Sequence, residues 1–297
     1  MLAERSDGRL QVNVIPRMFD TGEPLFIAIQ EGKADLGDVS YPYMTGTYPL
    51  WAWEQVPGIV DSTNVYDATA ESLAVYRDPA VREFIRGMFR EHGIEHLAGF
   101  LWSSPGGVFN NIEADTIAEL ATLKTRAYGY YIIMGFKELG VPAVYLPSAE
   151  VPGAILAGTI DASYTNYPYG YTMGWHTVTK YITLVPFSAF YSEAILMNAE
   201  VYNSLPDDLA KILRDLCDEV EMWMSVGTTA ESVIMLNAME ELGLKLIKLK
   251  PAEHAQAVET LKIIEEEFVK DAGPKGAEIL RLAREAVAKY RAIPEHP

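Results

Sequence analysis

The stretch that decides the fold begins Glu119-Leu-Ala-Thr-Leu-Lys-Thr-Arg126-Ala-Tyr128 and ends Pro147-Ser-Ala-Glu-Val-Pro-Gly-Ala-Ile-Leu-Ala-Gly158-Thr-Ile-Asp161-Ala-Ser-Tyr-Thr-Asn166. Residues 124–127 read as a strand. Residues 132–139 read as a helix stopped by Gly140, and 143–145 as a second strand. Residues 151–157 form a helix stopped by Gly158, before a third strand over 162–164. Short strands alternating with helices, with a glycine at each helix end, predict mostly parallel sheets covered by helices on both faces.

The same rhythm extends outward. Upstream, residues 9–15 alternate Leu10, Val12 and Val14 as a strand; 23–30 read as a helix and 34–39 as a strand. A long helical pattern covers 69–92, a strand 96–102 and a helical turn 117–120. Downstream, 181–185 and 193–198 are strands. The unit of helix, glycine and short strand occurs near Gly32 and again near Gly158, a hint of two similar lobes. From Asp207 to Leu242, apolar residues recur at three- and four-residue steps, opened by Pro206 and closed by Gly243. Thirty-odd residues give roughly 50 Å of helix, longer than one lobe. Either one rod crosses both lobes, or two helices meet near 225–229. An amphipathic stretch over 252–268 and a last helix over 274–290 complete the chain.

Composition bounds the function. The 297 residues are 49% apolar and 22% charged, enough for two lobes with cores. The formal charge of −17, with no basic stripe, excludes nucleic acid as a partner. No stretch reaches the roughly 20 apolar residues of a bilayer span, and no signal peptide is visible in the sequence. Cys217 is the only cysteine; within its helical pattern it reads as a small buried hydrophobe.

Catalytic and metal motifs are absent. His92-Gly-Ile-Glu95-His96 matches the H-x-x-E-H pattern of zinc peptidases, but Gly93 ends a helix and a strand follows, so the two histidines cannot share a helical face. Ser104-Pro-Gly-Gly107 lacks a phosphate-binding lysine and reads as a flexible turn between lobes. No metal and no cofactor is expected. Three aromatic clusters, around Tyr41 to Trp53, Tyr128 to Tyr131 and Tyr164 to Trp175, begin at or after strand candidates. There, open α/β sheets place their ligand crevice. Tyrosine offers an apolar face and a polar tip, suited to small polar organic ligands; core packing and surface rings are the alternative for any single one. Arg126, at a strand exit, would point into that crevice. It either grips a ligand carboxylate bidentately or pairs with one of the 41 acidic residues.

The motif around Arg126 resembles the solute-binding proteins of TRAP transporters, the periplasmic subunits of tripartite ATP-independent systems. Those proteins carry D-L-x-G-L-K-x-R, then P-x-x-E-V-x-x-A-L-x-x-G-x-x-D-G, then an Asn. Here the run ends at Arg126, the second motif spans Pro147 to Ala162, and the Asn is Asn166. The likeness includes Ile29 to Gly37, Pro49 and Asn198 to Pro206, and so covers nearly the whole chain. It implies a two-lobe periplasmic-binding-protein-like α/β fold, a long helix spanning both lobes and a ligand cleft between them. It further implies a periplasmic receptor with membrane subunits of a TRAP transporter as partners. By the same resemblance, Arg126 binds the solute carboxylate and Asn166 assists.

There are departures. Thr122 replaces a glycine, and the polar run Ser163-Tyr-Thr before Asn166 is one residue longer. Residues 102–109 carry no second Arg, which argues against sialic acid. The resemblance also implies a first strand and most of a helix that this chain lacks. The expected solute is a small organic acid, with the tyrosines favouring an aromatic or hydroxylated monocarboxylate. The expected site joins Arg126 and Asn166 with Trp102, Tyr128, Ser148, Tyr169, Tyr41 and Tyr43. Lobe one is assigned 1–101 plus about 188–230, and lobe two 102–187 plus about 231–297. A sensor domain for organic acids would share this fold; an α/β enzyme would need a nucleophile or acid–base pair that is not evident.

Overall fold

The computed structural model describes residues 1–16, 22–60, 64–101, 106–187 and 192–293. Two sheets organise them. The first holds three strands, β1 (Leu36–Val39), β8 (Ser192–Asn198) and β2 (Ile94–Leu101), with β8 in the middle and both pairings antiparallel. The second holds six. Its order is β5 (Ala143–Val144), β4 (Thr125–Arg126), β6 (Ala162–Asn166), β3 (Gly106–Asn110), β7 (Tyr181–Leu184) and β9 (Lys245–Lys248). The run β5-β4-β6 and the pair β7-β9 are parallel, whereas β3 is antiparallel to both neighbours. The sheets are therefore mixed and not mostly parallel. The antiparallel partners β3 and β8 enter each sheet from a distant part of the chain, which local alternation does not report.

β3 corrects a second reading. Ser104 and Pro105 lie outside the described residues, but Gly106 and Gly107 are not a flexible turn. They sit in the fully buried middle of the six-stranded sheet. A Cβ on Gly106 would lie 2.0 Å from the Tyr164 hydroxyl, and one on Gly107 2.2 Å from Cγ2 of Ile182. Glycine is needed here for close approach of the backbone to neighbouring side chains, not for freedom. Residues 9–16 form no strand. Of the alternating Leu10, Val12 and Val14, Leu10 is part-buried but Val12 and Val14 are exposed, and no described strand pairs with them; an apolar alternation without a partner edge is not stable alone.

The helical pattern over 69–92 divides into Val65–Arg77 and Pro79–Arg90. Pro79 lacks the N–H a helix interior needs, and the Asp78 side chain caps the second helix, accepting from Ala80 N at 2.9 Å. Gly93, at φ +71°, then ends the turn before β2. His92 lies edge-on to Tyr48, with ring centres 4.9 Å apart. His96, buried in β2, stacks on Phe89 at 5.5 Å. Burial, then the nearby Arg86, Arg214 and Arg82, push the His96 imidazole down to about 3, so it stays neutral.

Asp207–Glu241 is one helix of 35 residues. Its first half lies on the three-stranded sheet, where Arg214 donates to His96 O at 2.7 Å and Gly99 N donates to Glu221 Oε2 at 3.1 Å. Its far end puts Met239 into the core beneath the six-stranded sheet, with Phe109, Trp175 and Ile182. Around the middle, the buried face is Ser225, Thr228, Thr229 and Ser232. The apolar pattern lapses there without the helix breaking.

Sequence order placed everything from about 231 onward in lobe two. Lys262–Arg291, kinked at Gly273, instead packs mainly against Pro49–Gln55, Val65–Arg77 and Pro79–Arg90, and also meets Tyr130–Glu138, where the Tyr131 hydroxyl donates to Asp271 at 2.9 Å. Arg291 pairs with Glu71 at 2.6 Å and Lys289 with Asp78 at 2.7 Å, both on or beside the helices Val65–Arg77 and Pro79–Arg90. Ile264, Phe268, Ile279, Leu280 and Val287 are buried. An amphipathic helix specifies that one face is covered, not which lobe covers it.

Gly107→Ala is expected to lower stability by about 2–4 kcal/mol in urea denaturation, since the added methyl meets a packed strand. Ile182→Ala in the same background recovers part of the loss.

Candidate functional site

A cleft of about 950 Å³ opens between the two sheets and borders the middle of the long helix. Arg126 forms part of its lining at the exit of β4. The side chain is only 2% exposed and, among the described residues, donates hydrogen bonds at three points. Its Nε donates to Leu146 O at 2.8 Å, Nη2 to Ser148 Oγ at 3.0 Å and Nη1 to Tyr164 O at 3.4 Å. Leu146 follows β5 and Tyr164 lies in β6, so the strands flanking β4 supply the socket. The Tyr128 and Trp175 rings stand 5.8 and 5.5 Å from the guanidinium carbon, within cation–π range.

Asn166 ends β6 on the cleft wall. Its Oδ1 accepts from Tyr169 N at 2.9 Å and caps the helix Tyr167–Thr172. With the oxygen engaged, the Nδ2 amide is the half of the side chain that can meet a solute. Ser148, Tyr128 and Tyr169 line the same cleft. Of the expected site, the structure thus brings together Arg126, Asn166, Ser148, Tyr128 and Tyr169.

It does not bring in Tyr41. That ring is fully buried in lobe one against Phe89, and its hydroxyl hydrogen-bonds Glu54 and, at 2.8 Å, the Tyr76 hydroxyl. A tyrosine just past a strand can turn inward as readily as outward. Trp102 lies outside the described residues, as does the side chain of Tyr43.

Tyr130, of the second aromatic cluster, hangs into the cleft mouth, 55% exposed. Sequence reasoning passed over several other lining residues, among them Tyr145, 65% exposed at the same mouth. Ser40 lines it from lobe one and donates to Glu193 Oε1 at 2.7 Å. Glu193 and Glu231 add negative charge to the wall. The signal for Glu231 was the run of Ser and Thr in the long helix, where the buried face turns polar beside the cleft. Near Glu193, Asp38 keeps contact with solvent, yet desolvation by the surrounding chain, followed by the Glu193 charge, pushes its carboxyl up to about 7. Among the described residues, no group of three His, Cys, Asp or Glu side chains could hold a metal ion, and no helix is long and apolar enough to cross a membrane.

Residues 1–271 match the bacterial extracellular solute-binding proteins of family 7 (DctP), and the chain belongs to that family. This is a family of solute receptors, not of enzymes. A curated solute-binding protein of Albidiferax ferrireducens is 21% identical over 250 residues, covering 83% of this chain and 71% of the relative. Solved structures share the fold. DctP7 of Bordetella pertussis, an extracytoplasmic solute receptor binding pyroglutamic acid, superposes with a TM-score of 0.82 at 19% identity, over 95% of this chain and 91% of its own. A TRAP periplasmic solute-binding protein of Desulfovibrio salexigens with bound orotic acid gives a TM-score of 0.83 at 18% identity, over 97% and 91%.

Asp38 supplies a pH test. A carboxyl raised in the folded state stabilises the fold only while protonated, so its contribution is complete below about pH 4 and lost as pH rises through about 7. Asp38→Asn is expected to raise stability at pH 8 by ~1 kcal/mol, the size being limited by solvent screening, and to change little at pH 3.5. Thermal melts at the two pH values check it.

Proposed function

We propose that this chain is the periplasmic solute receptor of a TRAP-type transporter, and that it captures a small organic acid by closing its two lobes on it. The observation that carries this reading is the guanidinium of Arg126, fixed in orientation on the wall of an interlobe cleft. A planar fork held this way is pre-organised for two parallel hydrogen bonds to a carboxylate. Asn166 offers its Nδ2 amide to the same carboxylate, and Tyr128 and Tyr169 wall the solute's body. The two solved relatives described above bind acids, pyroglutamic and orotic, which supports a carboxylate as the recognised group. The membrane subunits of the transporter would receive the closed, loaded form. Lobe one then comprises residues 1–101, about 188–230 and the helix Lys262–Arg291; lobe two comprises 102–187 and about 231–260.

Removing Arg126 deletes both the charge and the fork, and leaves the solute carboxylate buried without its partner. For any acid found by thermal-shift screening, Arg126→Ala is expected to weaken binding about tenfold or more in calorimetry, with the far-ultraviolet spectrum unchanged. Arg126→Lys keeps the charge but not the fork and is expected to fall between the two. Unchanged affinity in Arg126→Ala would refute the carboxylate assignment.

A further inference from the structure

Among the described residues, the charged side chains lining the cleft are Arg126, Glu193 and Glu231. We propose that Glu231, seconded by Glu193, makes this receptor select solutes that carry an ammonium or other N–H donor group beside their carboxylate, and turn away dicarboxylates. The inference rests on Arg126 as the carboxylate anchor.

The three charges are divided by element. Arg126 belongs to the six-stranded sheet, Glu193 to the three-stranded sheet and Glu231 to the long helix between them. A solute whose carboxylate sits on Arg126 therefore presents its other end toward the two glutamates as the lobes approach. Glu231 is half-buried, and no hydrogen-bond or ion-pair partner among the described residues reaches its carboxylate. Its helical neighbours are already engaged. Thr229 donates to Ser225 O at 2.8 Å and Ser232 to Thr228 O at 2.8 Å, so Glu231 is the group the helix offers to the cleft at this level. Glu193 accepts from Ser40, which fixes one of its oxygens at the lobe-one wall.

A half-buried carboxylate facing a closing cleft gains strongly from a hydrogen-bonding cation and loses from a second anion, and both effects grow as water leaves. Arg126 alone accepts any acid. The glutamates add the repulsive element that discriminates between acids of equal length.

The test uses straight-chain acids of three to six carbons, each ending in a methyl, ammonium or carboxylate group, titrated by calorimetry into the full chain. The ammonium acid is expected to bind about tenfold or more tighter than the dicarboxylate of equal length. The isosteric Glu231→Gln is expected to erase most of that ratio, mainly by weakening the ammonium acid and strengthening the dicarboxylate, and Glu193→Gln to erase less. Dicarboxylates binding as tightly as ammonium acids, or a ratio unmoved by Glu231→Gln, overturn the selectivity. If Arg126→Ala still abolishes binding in that case, the carboxylate anchor stands and only the glutamate reading falls. No binding by any member, or binding indifferent to Arg126, counts against both.

Discussion

The wall of the interlobe cleft is organised around a guanidinium held in a socket built by three parallel strands. Arg126 is the last residue of a strand only two residues long, and its register sets it beside Val144 on one side and Ser163 on the other. The acceptors that hold it, Leu146 O and Tyr164 O, come from the chain just beyond β5 and from within β6. Side-chain entropy makes a free arginine costly to order. Here the sheet has ordered it already, so a solute would meet a fork whose plane is set.

The long helix gives that socket an opposing surface. Its ends are locked differently. At the lobe-one end, buried Glu221 accepts from Gly99 N and pairs with Arg82, and Arg214 reaches both His96 O and Glu95. At the other end, Met239 and Leu244 sit in an apolar core. Between them the buried face is hydroxyl-lined, with the hydroxyls returning to backbone carbonyls a turn earlier. Such back-bonding satisfies polar groups locally, and Thr229 also donates to the Thr69 hydroxyl at 2.9 Å, tying the middle of the helix to Val65–Arg77. The stretch that borders the cleft is thus held by hydroxyls where the two ends are held by ion pairs and apolar packing.

Much of this was legible in the sequence. The helix Glu23–Gln30 and the turn Ile117–Leu120 fall where their patterns put them, and the short strands around Arg126 were flagged by the glycines that stop the preceding helices. Local signals carried these elements because local hydrogen bonds and caps decide them. What failed was non-local. Nothing near Gly106 says that Tyr164 and Ile182 will press against it, so two sheet-centre glycines read as a loop. Nothing in the pattern of Lys262–Arg291 says that its partners Glu71 and Asp78 lie some two hundred residues earlier. The described rings of the first aromatic cluster, Tyr41, Tyr48, Trp51 and Trp53, pack in or against the core, whereas Tyr169 of the third cluster lines the cleft, and only packing separates the two outcomes. Glu231 was hidden because a glutamate on a long helix reads as solvated surface unless the cleft beside it is known.

The crowding at β3 reaches further than the strand itself. Gly106 leaves the space that the Tyr164 ring occupies, and the carbonyl of Tyr164 is one of the groups that orient Arg126. A methyl group added there would push on the ring, and through its backbone on the guanidinium, from a position that never touches a solute. In a survey of variants scored by uptake alone, Gly106 would register as a binding residue. The boundary between what holds the fold together and what would recognise a solute runs, at this point, through a single tyrosine: ring on one side, carbonyl on the other.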